Sequence, residues 1–226
     1  LKSHMKAVAA YREGFYEDMV IPFKNATRDT IIREDTSMEK LARLHPAFDK
    51  SPAGTLTAGN STVFTDGAAA VFLGNEGYAT AHDYPVLAYF SDCEAAAVDF
   101  VHGAGLLMAP TLAVARLLKR NNLSLQDFDY YEIHEAFAGQ VLCTLKAWED
   151  DHYCKEQLGL EKALGPIDRS KMNVKGGSVA LGHPFGATGA RLVATMAKLL
   201  HQKGKGKGLI SVCTAGGMGV AAIIEK

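Results

Sequence analysis

The sequence has almost no net charge: 24 Lys and Arg stand against 25 Asp and Glu, a formal charge of −1 over 226 residues. That balance supplies no field to draw the molecule to nucleic acid or to an acidic surface, so no nucleic-acid partner is expected. Long apolar runs are missing as well, and none approaches the roughly 18 residues that a membrane-spanning helix needs. Cysteine is sparse. Its four copies (Cys93, Cys143, Cys154, Cys213) form no C-x-x-C pair and no metal-ligand spacing. This sets aside a disulfide framework and a metal centre, and fits reduced thiols in a cell interior. No Gly-Lys-Ser/Thr phosphate loop is present. The first ten residues, Leu1 to Ala10, read as the middle of a helix with neither a cap nor a targeting signal, so the chain is expected to be cut upstream of Leu1.

What is present is an ordinary core-forming composition, 48% hydrophobic and 22% charged. The length suits one large domain, or one domain with an appendage. Apolar spacing predicts an amphipathic helix over 3–19, an extended Ile21-Pro22-Phe23, and a short helix over 37–44 stopped by Pro46. After a loop at 49–55 the texture turns small and apolar, predicting a strand end at 56–60 and a tightly packed helix over 66–73. Strand 85–91, a helix from Pro110 to about Arg120, strand 130–133 and a helix over 135–148 follow. Residues 149–170 read as a charged, irregular insertion. A glycine-rich strand and turn (173–186), a helix (187–202) and strands 209–213 and 220–224 complete the chain. Alternating strands and helices predict a layered α/β fold with a mixed sheet between helices.

Three polar clusters sit where strands end and helices or turns begin, the usual place for sites in α/β folds. His134-Glu135-Ala136-Phe137 reads either as a capped helix start, with Glu135 favoured by the N-terminal dipole, or as part of a site. Gly182-His183-Pro184-Phe185-Gly186-Ala187-Thr188-Gly189-Ala190-Arg191 permits a sharp turn into a helix N-terminus whose free N–H groups suit a developing negative charge. A structural glycine turn or a phosphate loop are its other readings, though it lacks the Gly-x-Gly-x-x-Gly fingerprint. Cys213-Thr214-Ala215-Gly216-Gly217-Met218-Gly219 is either a buried structural thiol before a turn or a proton-exchanging one. Together they suggest His and Cys acid–base chemistry beside backbone N–H donors, as acyl transfer needs. Lys203, Lys205 and Lys207 read as a solvated turn.

The order of these motifs resembles the C-terminal portion of thiolases, and Met38–Phe48, Thr57–Thr62, Asp66–Ala69 and Met108–Pro110 agree with it. The resemblance implies a βαβαβαββ half of a layered thiolase-like fold with an incomplete N-terminal half. It places the end of the loop domain at 1–54, the last strand and helix of the N-terminal domain at 55–82, and the C-terminal domain at 83–226. By the same resemblance His183 activates a nucleophilic cysteine and helps bind the thioester oxygen, and Cys213 exchanges a proton with the leaving enolate or with coenzyme A. The Ala215 N–H serves the second oxyanion hole. Glu135, Gly182, Gly186, Gly216 and Gly217 support these groups, and Arg33, Ser61 and Thr62 lie where the family contacts CoA. His134 stands where many thiolases carry asparagine, so its imidazole is expected to hold the acceptor oxygen. The family nucleophile precedes everything in this chain, and none of the four cysteines matches its context.

The His-Glu-Ala-Phe and Cys-x-Ala-Gly-Gly forms resemble the β-subunit of the mitochondrial trifunctional enzyme. This implies degradative 3-ketoacyl-CoA thiolysis in fatty-acid β-oxidation, with CoA as co-substrate and no other cofactor. It also implies a mitochondrial location, with a peroxisome-like organelle or the cytosol as alternatives. The expected partners are acyl-CoA thioesters, the missing N-terminal half, a second or further copies in a dimer or tetramer, and a trifunctional α-subunit. Acetoacetyl-CoA thiolase, a ketoacyl synthase and a non-catalytic CoA-binding thiolase relative are the competing readings. An isolated fragment of such a fold exposes an apolar face that a partner normally covers.

Overall fold

The computed structural model describes all 226 residues. In chain order its elements are α1 (Lys2–Arg12), α2 (Met38–Ala42), α3 (Glu76–Ala81), β1 (Tyr89–Ala97), α4 (Ala109–Asn121), β2 (Tyr130–Ile133), α5 (Ala138–Glu149), α6 (Asp151–Glu156), α7 (Ser178–Leu181), α8 (Thr188–Lys203), β3 (Lys207–Thr214) and β4 (Met218–Glu225). The four strands form one mixed sheet in the order β1-β4-β3-β2, parallel between β2 and β3 and antiparallel elsewhere.

Helices cover both faces of this sheet. Val114, Leu117 and Leu118 of α4, with Val141, Leu145 and Trp148 of α5, pack on Ile133, Leu209 and Ile223. On the opposite face Leu192, Met196 and Leu200 of α8 pack on Ile210, Ala222 and Ile224. Each such large side chain contributes about 1.5–3 kcal/mol on burial. Local signals agree with the ends of these helices. Pro110 lies in the first turn of α4, and Asn122 closes it in the left-handed region (φ 52°). Gly204 closes α8 in the same way. A third cluster, built from Ala7, Ala10, Phe15 and Tyr16 against Ala180, Leu181 and Leu199, docks α1 beside α7.

The expected α/β architecture with a mixed sheet between helices is observed, with several local differences. The first helix stops at Arg12, because Gly14 turns the chain (φ 72°) and swings Phe15 and Tyr16 inward. The helix expected over 66–73 is irregular and almost wholly exposed, and the nearest helix is Glu76–Ala81. An alanine run of that length is marginal as a helix unless an apolar face is packed, and nothing packs on this one. No strand forms at 56–60, where only Thr57 bridges to Pro46. Strand 85–91 lies further along, at Tyr89–Ala97, with a bulge between Phe90 and Asp92.

The strand expected in 173–186 is reduced to two isolated parallel bridges, Met172 with Tyr131 at its edge and His183 with Phe64. Asn173 (φ 46°) and Gly176 (φ 92°) bend the chain out of extended conformation there. The expected βαβαβαββ pattern is therefore one regular strand short. The insertion at 149–170 contains α6 and ends at a 3-10 turn over Arg169–Lys171. Helix α5 begins at Ala138, three residues later than expected, because Thr62 N–H donates to Ala136 O and Ala138 N–H to Asn60 O, holding 136–138 extended.

Candidate active site

β2 and β3 run parallel, and His134 leaves the end of β2 with its N–H donating to Ser211 O (2.9 Å). Two residues further along β3 is Cys213, which is buried. Its thiol is pushed up to about 11 by burial, partly offset by the backbone N–H groups of Cys213 and Ala136 near it. At neutral pH it therefore holds its proton, as a proton donor must. β3 then turns through Ala215, exposed, and Gly216 and Gly217, both at positive φ (88° and 73°), into β4.

The third group arrives on the loop between α7 and α8. Gly182 and Gly186 both take φ 85°, and His183 lies between them. Its Nδ1 shares a hydrogen bond of 2.6 Å with Thr188 Oγ1, the first residue of α8. Its ring centroid lies 4.2 Å from that of His134, tilted by 44°. Burial, with the charge of Arg191, lowers the His183 pKa and favours the neutral base. Burial acts more strongly on His134, joined by His183 and Arg191, and pushes it down to about 3. Two neutral imidazoles thus stand in contact, with a protonated thiol buried on the strand adjoining the end of β2.

Behind this cluster is a polar clamp. The Glu135 carboxylate accepts from Ser3 Oγ (2.7 Å), Asn173 Nδ2 (2.9 Å) and the Val179 N–H (3.2 Å). Ser3 Oγ also accepts the Gly177 N–H (2.9 Å), and Asn173 exchanges hydrogen bonds with both backbone groups of Ile133. Glu135 thereby fastens the His134 loop to the chain leading to His183. A side chain at Gly177 would run into it, with a methyl carbon 2.3 Å from Glu135 Cδ.

Ser61 and Thr62 flank the same loop. Ser61 pairs with Phe137 and its Oγ donates to Thr57 O (2.8 Å), while Thr62 Oγ1 donates to Ser178 O (2.8 Å). Arg33 is held elsewhere, its backbone N–H donating to His4 Nδ1 (3.2 Å) on α1. The structure thus joins His134 to His183 directly and Glu135 and Thr62 to them through Val179 and Ser178, places Cys213 on the strand beside the end of β2, and ties Arg33 to α1 instead.

Other polar groups here had no role in the sequence reading. Ser178 is hydrogen-bonded to His134 and Arg191 to Ser178; Arg191 ends the Gly182–Arg191 cluster, and Ser178 lies in the glycine-rich stretch just before it. Glu132 on β2 is fully buried with neither oxygen partnered. Burial pushes it up to about 8, partly offset by Arg191. An acidic residue inside a short apolar strand is the one sequence signal that marks it.

The remaining cysteines stand apart. Cys93 on β1 and Cys143 on α5 are exposed, and the buried Cys154 donates to Ala147 O (3.4 Å). A large concavity also lies elsewhere. It is an open groove of about 1080 Å³ between 70–90 and α8, lined by Phe72, Tyr78, Tyr84, Leu87, Phe90 and Val193, and it contains none of the site groups.

Comparison with known proteins accords with this geometry. Residues 84–226 match the family model described as "Thiolase, C-terminal domain", and residues 1–77 match "Thiolase, N-terminal domain". The chain is 42% identical over 231 residues to a 3-ketoacyl-CoA thiolase of Yersinia enterocolitica, covering 100% of this chain and 52% of that protein. It is 42% identical over 230 residues to one of Shewanella baltica, covering 99% and 52%. The dimeric peroxisomal thiolase of Saccharomyces cerevisiae superposes with a TM-score of 0.80 at 36% identity, over 99% of this chain and 52% of that one. The chain spans about half the length of the curated relatives it matches. These relatives correct the mitochondrial placement. The proteins at 42% identity are bacterial, and bacteria have no such organelle.

Proposed function

The chain belongs to the thiolase family, and from that premise we propose that it supplies the acid–base half of a degradative 3-ketoacyl-CoA thiolase. The observation that carries this is the contact of His134 with His183 (ring centroids 4.2 Å apart) at the end of β2, where the neighbouring strand β3 buries the Cys213 thiol two residues beyond Ser211, the acceptor of the His134 N–H. Cleaving a carbon–carbon bond by thiolysis requires a thiolate to attack the ketone and a separate acid to protonate the departing carbanion. His183, neutral, takes the proton of the attacking thiol. The tetrahedral oxyanion forms, the bond between C2 and C3 breaks, and the electron pair leaves as the enolate of acetyl-CoA. Cys213 gives its proton to that carbon. The Cys213 thiolate then takes a proton from incoming coenzyme A, whose sulfur receives the acyl group and releases the nucleophile.

On this reading the nucleophile is a cysteine outside these 226 residues, since Cys93, Cys143 and Cys154 stand apart from His183. His134 donates to the substrate oxygen, the Ala215 N–H to the second oxyanion, and Glu135 with the four glycines holds the loops. Ser61 and Thr62 border the pantetheine path, and Arg33 meets the CoA phosphates at the outer rim. CoA is a co-substrate, and the working groups are thiols and imidazoles. The degradative direction follows the names of the relatives at 42% identity. The groove lined by Phe72, Tyr84 and Phe90 is where the rest of the family fold packs. A homodimer follows the yeast neighbour, described as dimeric. The trifunctional-type assembly with an α-subunit rests only on the His-Glu-Ala-Phe and Cys-x-Ala-Gly-Gly motifs.

The test is CoA-dependent conversion of 3-ketoacyl-CoA to acetyl-CoA by the full-length protein, across acyl lengths. The expected result is turnover that falls by about 10²–10⁴-fold in Cys213→Ala and in His183→Ala. CoA binding without any turnover would refute the reading in favour of a binding protein.

A further inference from the structure

The polar chain behind His134 has a direction. Arg191 Nη2 donates to Ser178 Oγ at 2.9 Å, and a guanidinium has no lone pair with which to accept. Ser178 is 0% exposed, and the other partner of its hydroxyl is His134 Nδ1 at 2.8 Å. The hydroxyl proton therefore has one acceptor in reach, the Nδ1 lone pair. Were Nδ1 to carry a proton, Ser178 Oγ would receive two donors and its own proton would be stranded. A buried donor left without an acceptor is strongly disfavoured. With Nδ1 accepting, the single proton of a neutral imidazole sits on Nε2.

The opposite nitrogen is unusual in its own right. His134 is 2% exposed, yet its Nε2 has no partner in the chain. Buried polar atoms are nearly always paired, so an orphan in the contact zone of His183 marks a place where something else accepts. An imidazole donates there only if the right nitrogen holds the proton. We propose that Ser178, itself anchored by Arg191, is a positioning residue that locks His134 in the Nε2–H tautomer and so keeps a buried donor ready for the substrate carbonyl oxygen. The lock also prevents His134 from competing with His183 as a base, because its only lone pair is already engaged by Ser178.

The inference rests on the thiolytic reading for the identity of that oxygen, while the tautomer can be read without any turnover. The experiment is ¹⁵N NMR of the histidine-labelled full-length protein, with the His134 signals assigned by their loss in His134→Asn. The expected result is a protonated Nε2 and a lone-pair Nδ1. In Ser178→Ala the protonated nitrogen should no longer be Nε2 alone. In the same variant kcat should fall about 10²-fold with KM within about twofold, the pattern of a donor used mainly in the transition state. Ser178→Thr, which keeps the hydroxyl, should restore both. A His134 protonated at Nδ1 in the wild type, or a Ser178→Ala protein unchanged in tautomer and kcat, overturns the proposal. A protein without thiolysis whose His134 still reads Nε2–H would support the lock and count against the thiolytic reading. Thiolysis with His134 protonated at Nδ1 would do the reverse.

Discussion

Replacing Gly177 by alanine isolates the clamp that joins the two histidine loops. Gly177 has φ −122° and ψ −169°, extended backbone that any residue adopts, so the change adds bulk without backbone strain. The added methyl would lie 2.3 Å from both Cδ and Oε2 of Glu135, and 2.6 Å from Oε1. Glu135 cannot easily give way, because Ser3, Asn173 and the Val179 N–H all hold its carboxylate. Overpacking of this kind costs about 1–3 kcal/mol, and hydrogen bonds to a charged group are worth about 1.5–3 kcal/mol each. A loss of about 3 kcal/mol is therefore expected, with a fall in Tm of several degrees. The chain that carries His183 moves with Gly177, and a displacement near 1 Å at a reacting centre costs about 10²-fold in rate.

Gly189→Ala is the matched control. Its methyl meets nothing within 4 Å inside α8, so stability should be unchanged or higher by up to about 1 kcal/mol. Thermal unfolding and kcat of the full-length protein, measured for both variants, decide the matter. In a Glu135→Ala background Gly177→Ala should cost much less than alone, since the clash is gone. Equal effects of Gly177→Ala and Gly189→Ala, or no change on removing Glu135, would refute the reasoning.

Thiol alkylation at neutral pH should label the exposed Cys93 and Cys143 well before Cys213, whose thiol is buried and pushed up to about 11; peptide mass mapping over time gives the order. Acid should destabilise the protein through His134. Its folded pKa of about 3 lies below the usual 6.5, so the unfolded chain gains a proton first and stability falls as pH drops from 6.5 towards 3. The full window is worth about 5 kcal/mol. Glu132, raised to about 8, acts in the opposite sense above its usual 4.5, so the comparison to make is urea unfolding of wild type against His134→Asn at pH 7 and 4.5. The variant should lose less stability on acidification. Arg33→Ala should raise KM for CoA several-fold at unchanged kcat, since an outer phosphate contact binds ground state and transition state alike.

Much of this architecture was legible in the sequence because its signals are local. Pro110 and Asn122 bracket α4, and the apolar runs around Leu209 and Ile223 are strands wherever they pack. The three clusters were legible as strand ends. The alanine run at 68–70 misled, since its helix propensity counts only when a neighbour buries one face. The glycine-rich run at 173–186 misled in the other direction. Asn173 spends its side chain on the backbone of Ile133, and that pairing takes the place of a ladder. The Arg191–Ser178–His134 chain was illegible for a different reason. Its members are 13 and 44 residues apart, and only the fold brings α8, α7 and the end of β2 to one point.

The central claim is a division of labour, with the acid–base groups in this chain and the nucleophile outside it. Intact mass after brief exposure to a 3-ketoacyl-CoA tests it most directly, on the 226-residue chain alone and on the full-length protein. The account predicts an acyl adduct on the full-length protein, mapping to a cysteine outside these residues, and none on the chain alone. A thioester adduct on Cys93, Cys143, Cys154 or Cys213 would contradict it.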